Sequence, residues 1–284
     1  MAKVFSVASW NVEHFQDTTD LSRVKRVANF IHGKEGGPKK IPDVFALYEV
    51  EGKYLYREFM EKFPRHHFHM TEGKQTQEIF IGVSNKLQSF TTQRLEFKEQ
   101  RDFLRPGLLL TIRKNDIDYS LLFLHTKSGS NTEDFGLRDA ALLHAFNLKK
   151  ALDAKSGGKA NFLFMGDLNT MGIDDPVPYS KQMDLSSDGE IDRIKHWAEK
   201  RNMKMMPKEK TIIEGAEKEV TWWNGSSGYS PTNLDHLIAS NHLTIKGQAQ
   251  ENISLLGWPK LPEGKWKQWY KDYSDHAMLY FEVH

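Results

Sequence analysis

The tripeptide Ser274-Asp275-His276 stands directly before the closing apolar run of the chain, residues 278–283. Other strand-like runs also end in motifs that carry a carboxylate, an amide or an imidazole: Trp10-Asn11, Tyr48-Glu49, His125-Thr126, Gly166-Asp167-Leu168-Asn169 and Leu234-Asp235-His236. Such groups converge only when the strands lie side by side and share one edge. Oxygen ligands with two imidazoles at such an edge are typical of a hard-metal site with acid–base groups beside it.

The bulk composition is that of an ordinary globular chain. Its 284 residues are 39% hydrophobic and 27% charged,. Lys and Arg number 39 against 38 Asp and Glu, so no overall basic field holds nucleic acid, although a local patch is enough for a nuclease,. The absence of cysteine excludes disulfides, thiolate metal ligands and cysteine nucleophiles,. No apolar run approaches the ~18 residues of a membrane span and no signal peptide is evident, so we expect a cytoplasmic location, although a trimmed exported form would look the same.

The apolar periodicity predicts strands and helices in one domain, residues 1–284. Strand-like runs cover residues 4–10, 44–48, 79–84, 108–112, 119–125, 161–165, 235–240 and 278–283,. Helical spacing covers residues 21–31, 55–63, 142–152 and 191–197, with Asp20 as the first N-cap and Gly33 as the first stop,. Several strands follow one another with no helix between them, which favours two packed sheets over a doubly wound parallel sheet.

In this order and spacing, the six motifs resemble the endonuclease/exonuclease/phosphatase superfamily, which has the deoxyribonuclease I-like fold. The resemblance runs from about residue 5 to residue 283. Each motif is weak by itself, and it is the ordered set that makes the resemblance specific. The resemblance implies an α+β, four-layer sandwich: two packed, mainly antiparallel β-sheets with helices on both outer faces.

The chemistry of phosphodiester hydrolysis accounts for these residue types. A divalent cation neutralises the phosphate oxygens that repel a nucleophile and stabilises the leaving oxygen. Mg²⁺ prefers oxygen ligands and keeps several waters, so one or two carboxylates are enough, and Mn²⁺ and Ca²⁺ are alternatives. The resemblance assigns the metal to Glu49, Asn11 and Asp275.

The resemblance also assigns acid–base and substrate-binding roles. His276 is the expected general base, because imidazole titrates near neutral pH, and Asp235 would hold its tautomer. His125 would be the second catalytic imidazole, and Glu78, directly before its strand, resembles the glutamate that pairs with this histidine. Asp167 and Asn169 complete the catalytic set. The expected substrate-binding residues are Arg105, Asn169, Lys127 and Arg138.

The chain also departs from branches of the superfamily. The stretch Glu49-Val50-Glu51-Gly52 has an acid where deoxyribonuclease I-like enzymes often carry a basic residue that enters the DNA groove. Residues 125–129 read His-Thr-Lys-Ser-Gly, which disfavours the abasic-site repair branch, and the added signatures of the inositol-phosphatase branch are not found.

Several residues also have purely structural interpretations. His236 faces away from its neighbour Asp235 on a strand, so it is expected to be structural or on the surface. His66, His67 and His69 are expected to be surface histidines, and Arg138 to form a salt bridge at a helix start. The aromatic and lysine-rich residues 258–273 could stack bases or dock on lipid, but packing of the tryptophans on the body is favoured,.

The sequence therefore predicts a metal-dependent phosphodiesterase that acts on nucleic acid, with DNA as the first substrate and RNA as an alternative. The second prediction is a phospholipid or phosphoinositide phosphodiesterase or phosphatase on the same scaffold. The third is a binding module that kept the fold without catalysis, which the complete set of polar residues disfavours. Endonuclease and exonuclease activity are both open. A monomer without a stable protein partner is expected.

Overall fold

A computed structural model describes residues 2–15, 20–75, 77–174, 184–226, 228–248 and 252–284. Within these ranges the helices are α1 Leu21–Ile31, α2 Lys53–Lys62, α3 Thr132–Lys155, α4 Ser187–Glu199 and α5 Trp266–Asp272. The strands are β1 Phe5–Phe15, β2 Val44–Val50, β3 His66–Met70, β4 Glu78–Ser84, β5 Gln88–Arg94, β6 Gly107–Lys114, β7 Ile117–His125, β8 Asn161–Asp167, β9 Met203–Met205, β10 Thr211–Ile213, β11 Ala216–Lys218, β12 Asp235–Ser240, β13 Ile245–Lys246, β14 Ser254–Leu256 and β15 Met278–Val283. No helix in the described part of the chain combines the length and the apolar character that a membrane crossing requires.

The strands form two large sheets. In the described residues the first sheet has the order β13-β15-β1-β2-β4-β3, with β14 also paired to β15, and the second has the order β5-β6-β7-β8-β12-β9. Strands β1 and β2 pair in parallel, as do β7 and β8, and the other pairs between described strands are antiparallel. The prediction of two mainly antiparallel sheets is confirmed.

The layers arise because side chains alternate between the two faces of each strand. Phe5 and Val7 of β1 point into a core between the sheets, where they join Phe123 of β7 and Leu237 of β12. Trp10 of β1 belongs to a second core, under the helices on the other face of that sheet. Successive side chains of a strand point to opposite faces, so one strand supplies both cores.

Helices cover both outer faces. Side chains of α1, α2 and α5 enter the core on the outer face of the first sheet. Those of α3 and α4 pack on the outer face of the second sheet, with Phe162 and Phe164 of β8 beneath them. The order helix, sheet, sheet, helix confirms the predicted four-layer sandwich. The predicted cap is also confirmed, since Asp20 accepts a hydrogen bond from the main-chain N of Ser22 at 2.9 Å.

Residues 258–273 belong to the helix layer. Trp258, Trp266, Trp269 and Tyr273 are each at most 6% exposed. The Trp269 ring stacks on Tyr273 with centroids 4.1 Å apart and meets Phe30 of α1 edge-on at 4.9 Å. Packing of the tryptophans on the body is therefore confirmed, and these rings are not available to bases or to lipid.

Candidate active site

The register of the second sheet places three polar residues in one row. His125, the last residue of β7, lies opposite Asp167 of β8, and Asp167 lies opposite Asp235 of β12. Gly166 permits this close packing, because its φ is +139° and a Cβ there would lie 1.9 Å from the carbonyl oxygen of Leu124,. The glycine of the Gly-Asp-Leu-Asn motif is therefore required by the backbone.

The first sheet adds an amide and a carboxylate. Asn11 of β1 donates hydrogen bonds from Nδ2 to Glu49 Oε1 of β2 and to Asp167 Oδ2, each at 2.9 Å. Glu49 adopts a left-handed φ of 64° at a register shift of β2, a conformation that is uncommon for residues other than glycine,. Asn11 therefore ties the ends of the two sheets together and orients both carboxylates.

His276 and Asp235 form a buried hydrogen-bonded pair. Nδ1 of His276 donates to Oδ2 of Asp235 at 2.8 Å, and Nε2 lies 3.6 Å from Oδ2 of Asp167. Burial alone lowers the pKa of His276, but the carboxylates of Asp235, Asp275 and Asp167 outweigh it and hold the pKa well above the usual range. Nε2 is left to face the centre of the site.

His125 lies across the site with a different electrostatic environment. Its Nε2 lies 3.6 Å from Glu49 Oε1 and 3.6 Å from Asp167 Oδ2. Burial, with the Arg105 guanidinium and His276 as further causes, holds the pKa of His125 well below its usual range. This environment favours the uncharged form of the imidazole.

The carboxylates at the centre fit a divalent cation. The ligand atoms of Glu49, His125 and Asp167 lie within 4.8 Å of one another, and so do those of Asp167, Asp235 and His276. Burial raises the pKa of Asp167 to about 7, with the charges of Asp235 and Glu49 as further causes, and the positive charge of His276 offsets this only in part,. A hard cation would supply further positive charge, and Glu49 and Asp167 are the oxygen donors placed to hold it.

Comparisons with known proteins find relatives through structure alone. No protein-family model and no curated protein sequence matches the chain. Truncated Caenorhabditis elegans TDP2 is 18% identical with a TM-score of 0.65, covering 98% of this chain and 96% of that one. D. rerio TDP2 complexed with single strand DNA product is 16% identical with a TM-score of 0.60, covering 99% and 98%. The Bacteroides thetaiotaomicron mannosyl-6-phosphatase Bt3783 is 13% identical with a TM-score of 0.57, covering 99% of both chains.

This chain has the deoxyribonuclease I-like fold. The expected fold is thereby confirmed. The structure brings together Asn11, Glu49, His125, Asp167 and His276, with Asp235 directly behind His276.

Asn169 lies beside this cluster. Its main-chain N donates to Asp167 Oδ1 at 3.0 Å, and its Nδ2 donates to the carbonyl oxygen of Thr126 at 3.2 Å. Its φ of 47° turns the chain sharply after β8. Both contacts fix the positions of Asp167 and of the segment after His125.

Two predicted residues hold other partners. The Glu78 carboxylate accepts hydrogen bonds from Gln75 Nε2, at 2.7 Å to each oxygen, and from the Thr71 hydroxyl. The expected Glu78–His125 hydrogen bond is not formed, because these nearer donors occupy the carboxylate. The Asp275 carboxylate accepts from Trp222 Nε1 at 2.7 Å and belongs to neither group of candidate metal ligands in the described residues. It lies 3.9 Å from Nε2 of His276, which places it beside this imidazole rather than with Glu49.

Of the predicted substrate-binding residues, Arg105 lies near the central carboxylates, whereas Lys127 has another partner. Arg105 lies close enough to Glu49, Asp167 and Glu78 for their charges to act on it. Lys127 is instead paired with Asp134 at 3.0 Å.

Arg138 is fully buried, which contradicts a substrate-binding role. It donates to both Glu190 oxygens, at 2.8 and 3.0 Å, and to the carbonyl oxygens of Lys127, Gly129 and Gly172. The structural interpretation of Arg138 as a salt-bridge residue is confirmed, and the bridge holds the segment after His125.

The remaining histidines lie outside the candidate metal site. His236 is buried, as expected for a structural residue, and its Nδ1 lies 3.2 Å from Nζ of the buried Lys208. His66, His67 and His69 are partly exposed on β3 and form no candidate metal group among the described residues.

The sequence interpretation missed two groups that hold Glu49. The main-chain N of His14 donates to Oε2 of Glu49 at 3.1 Å, and Gln77 Nε2 donates to the same oxygen at 3.1 Å. His14 reaches this position because β1 continues to Phe15 through left-handed residues at Glu13 and His14. For His14 the only available signal in the sequence was its position three residues after Asn11. Gln77 carried no signal.

Proposed function

We propose that the protein is a divalent-metal-dependent phosphodiesterase that hydrolyses phosphodiester bonds of nucleic acid, with DNA as the first substrate. The observation that carries this proposal is the 2.8 Å hydrogen bond between His276 and Asp235, with Nε2 of His276 directed at the candidate metal ligand Asp167, 3.6 Å away. A base, its orienting carboxylate and a hard-metal site are the parts that water attack on a phosphodiester requires.

His276 would act as the general base. Above its raised pKa the imidazole keeps only the Nδ1 proton, which is committed to Asp235, and Nε2 then carries the lone pair that accepts a proton from the attacking water,. The carboxylate then stabilises the imidazolium that forms. A divalent cation held by Glu49 and Asp167 would neutralise the phosphate oxygens and stabilise the leaving oxygen.

His125, Arg105 and Asn169 would contact the phosphate. His125 is neutral and lies 3.6 Å from both Glu49 and Asp167, where it can donate one hydrogen bond to a phosphate oxygen. Arg105 adds a permanent positive charge beside the same carboxylates,. These donors would stabilise the charge on the phosphate oxygens in the transition state. They are already in position, so they would do this without moving during the reaction.

One observation favours nucleic acid over lipid as the substrate. D. rerio TDP2, which shares the fold, is described in complex with single strand DNA product. The tryptophans of residues 258–273 are buried in the helix layer, so this stretch supports neither base stacking nor docking on lipid.

The test is cleavage of supercoiled plasmid with Mg²⁺, Mn²⁺, Ca²⁺ or a chelator, beside end-labelled single- and double-stranded oligonucleotides. Nicking of the closed circle reports endonuclease activity, whereas shortening of the oligonucleotides from one end reports exonuclease activity. We expect metal-dependent cleavage that falls on the order of 10³-fold in His276→Ala. The matched control His196→Ala removes an exposed imidazole of α4 and is expected to keep wild-type activity.

Absence of cleavage of DNA and RNA with every metal, in a protein shown to be folded by circular dichroism, would refute the nuclease proposal. Phosphate release from sugar phosphates and from phosphoinositides would then separate the phosphatase and lipid alternatives.

A further inference from the structure

Three buried polar atoms at and near His125 have no hydrogen-bond partner among the residues that the structure describes. They are Nδ1 of His125, Nε of Arg105 and Oγ1 of the neighbouring Thr126. Buried polar groups are nearly always hydrogen-bonded, since an unpaired one has given up its hydrogen bonds to water without replacement. Three such atoms from residues that line one cavity therefore point to a shared partner.

All three residues line the same small cavity. The space open to the centre of a water molecule there is about 10 Å³. That is about the space that one water requires, and a buried water needs two to four polar partners. Apolar side chains, including Phe97, Leu104 and Leu124, form much of the remaining wall. The cavity thus has the size and the number of polar groups for one water molecule and is too small for a phosphate.

The hydrogen atoms of the site determine how a water would bind. Nε2 of His125 lies 3.6 Å from carboxylate oxygens of both Glu49 and Asp167. A proton on Nε2 is attracted by these oxygens, whereas a lone pair there would be repelled. With a single ring proton, this geometry places that proton on Nε2, and Nδ1 is then an acceptor.

With that tautomer the three atoms complement a single water. Nε of Arg105 can only donate, so the water oxygen accepts from it. The water then donates one hydrogen to Nδ1 of His125 and the other to Oγ1 of Thr126. Every orphaned atom gains a partner, and both hydrogens of the water are used.

We infer that one ordered water, held by Arg105 and Thr126, binds Nδ1 of His125 and fixes the imidazole with its proton on Nε2. The water takes the place that the expected Glu78 carboxylate leaves, since Glu78 is held by Thr71 and Gln75. Thr126 is then a positioning residue, which acts through the water on the imidazole that would contact the phosphate. The kinetic consequence rests on the proposed phosphodiesterase function, whereas the water and the tautomer do not.

The structural test is a high-resolution crystal structure of the protein together with ¹⁵N spectra of its histidine rings, assigned by loss of the His125 signals in His125→Gln. We expect density for a water within hydrogen-bond distance of all three atoms, and a neutral His125 protonated on Nε2. A dry cavity, a Glu78 oxygen bonded to Nδ1, or a proton on Nδ1 would overturn the inference.

The variant test uses Thr126→Val, which removes the hydroxyl at nearly constant volume, and Thr126→Ser, which retains it. We expect Thr126→Val to lower kcat for the cleaved oligonucleotide about threefold to tenfold with little change in KM, and to mix the His125 tautomers, while Thr126→Ser restores both. Unchanged kcat and tautomer in Thr126→Val would contradict the positioning role. If even the wild type cleaves no nucleic acid, the proposed function fails, but density and tautomer still decide whether the water site exists.

Discussion

The two histidines of the site are alike in burial and opposite in environment. His276 is 4% exposed and His125 is 6% exposed. Nδ1 of His276 meets the Asp235 carboxylate at 2.8 Å, whereas Nδ1 of His125 has no hydrogen-bond partner among the residues that the structure describes. The carboxylates around His276 raise its pKa, and burial lowers the pKa of His125. The same residue type thus stands in two opposite electrostatic environments, which suit a proton acceptor on one side and a neutral donor on the other.

The difference shows that the partner of Nδ1, more than burial, decides the chemistry of each imidazole. Groups whose pKa values are pushed apart by their surroundings divide acid–base work between them. In the proposed mechanism, His276 on the β12 and β15 side of the site would carry a proton. His125 on the β7 side would bind a phosphate oxygen without changing its own charge.

The largest expected effect is the loss of the carboxylate behind His276. Asp235→Asn keeps the shape of the pair but presents an amide to Nδ1, so the imidazole turns its proton toward the water it should deprotonate. We expect kcat to fall on the order of 10³- to 10⁴-fold with KM little changed. Single-turnover cleavage of a labelled oligonucleotide measures this.

The matched control for that variant is Asp116→Asn, which makes the same exchange at a fully exposed side chain. It is expected to retain wild-type rate. A wild-type rate in Asp235→Asn would show that the base is another group.

A smaller loss of kcat is expected when His125 is replaced. His125→Gln keeps a hydrogen-bond donor but no longer places it near Glu49 and Asp167 with the geometry of the ring. Removal of one preorganised donor to a phosphate oxygen costs on the order of 10²-fold in kcat. If His125→Gln lost as much activity as Asp235→Asn, the two imidazoles would have to share proton transfer, and the contrast between them would fail.

The pH dependence of activity also distinguishes the His276 side of the site from the His125 side. The base must be unprotonated, and carboxylates hold the pKa of His276 well above its usual range of about 6.5, so activity should rise about tenfold per pH unit below that raised pKa and then level off,. Removing the Asp235 charge should move this acid limb to lower pH. In His125→Gln the limb should stay where it is in the wild type, because His125 is already neutral at these pH values. Profiles of kcat/KM against pH for the three proteins test the assignment.

The sequence predicted the strand ends that matter and not the contacts around them. The position of Asp167 between His125 and Asp235 follows from long apolar runs whose register is set by their buried faces,. Strand β5, by contrast, is a half-exposed edge with no apolar run, and α5 was expected as a packed loop. Short and exposed elements owe their conformation to tertiary contacts that no local pattern reports.

The contacts of the residues after His125 could not be predicted for the same reason. Arg138 and Lys127 follow His125 closely in sequence, which suggested a role at the rim. Their partners Glu190 and Asp134 could be known only after folding. A charged residue near a motif is therefore weak evidence until its partner is known.

The smallest loss of activity is expected for Glu78→Gln, which tests the predicted Glu78–His125 hydrogen bond that the structure does not form. Glu78→Gln replaces a carboxylate that is occupied by Gln75 and Thr71 and makes no contact with His125. Because the hydrogen bonds of this carboxylate go to Gln75 and Thr71, the amide changes little for the imidazole across the site. We expect kcat within about threefold of wild type, with any loss seen as reduced thermal stability from the altered hydrogen bonds. A 10²-fold loss of kcat in a stably folded Glu78→Gln would mean that the carboxylate swings to Nδ1 during turnover, and the two histidines would then both be held by carboxylates.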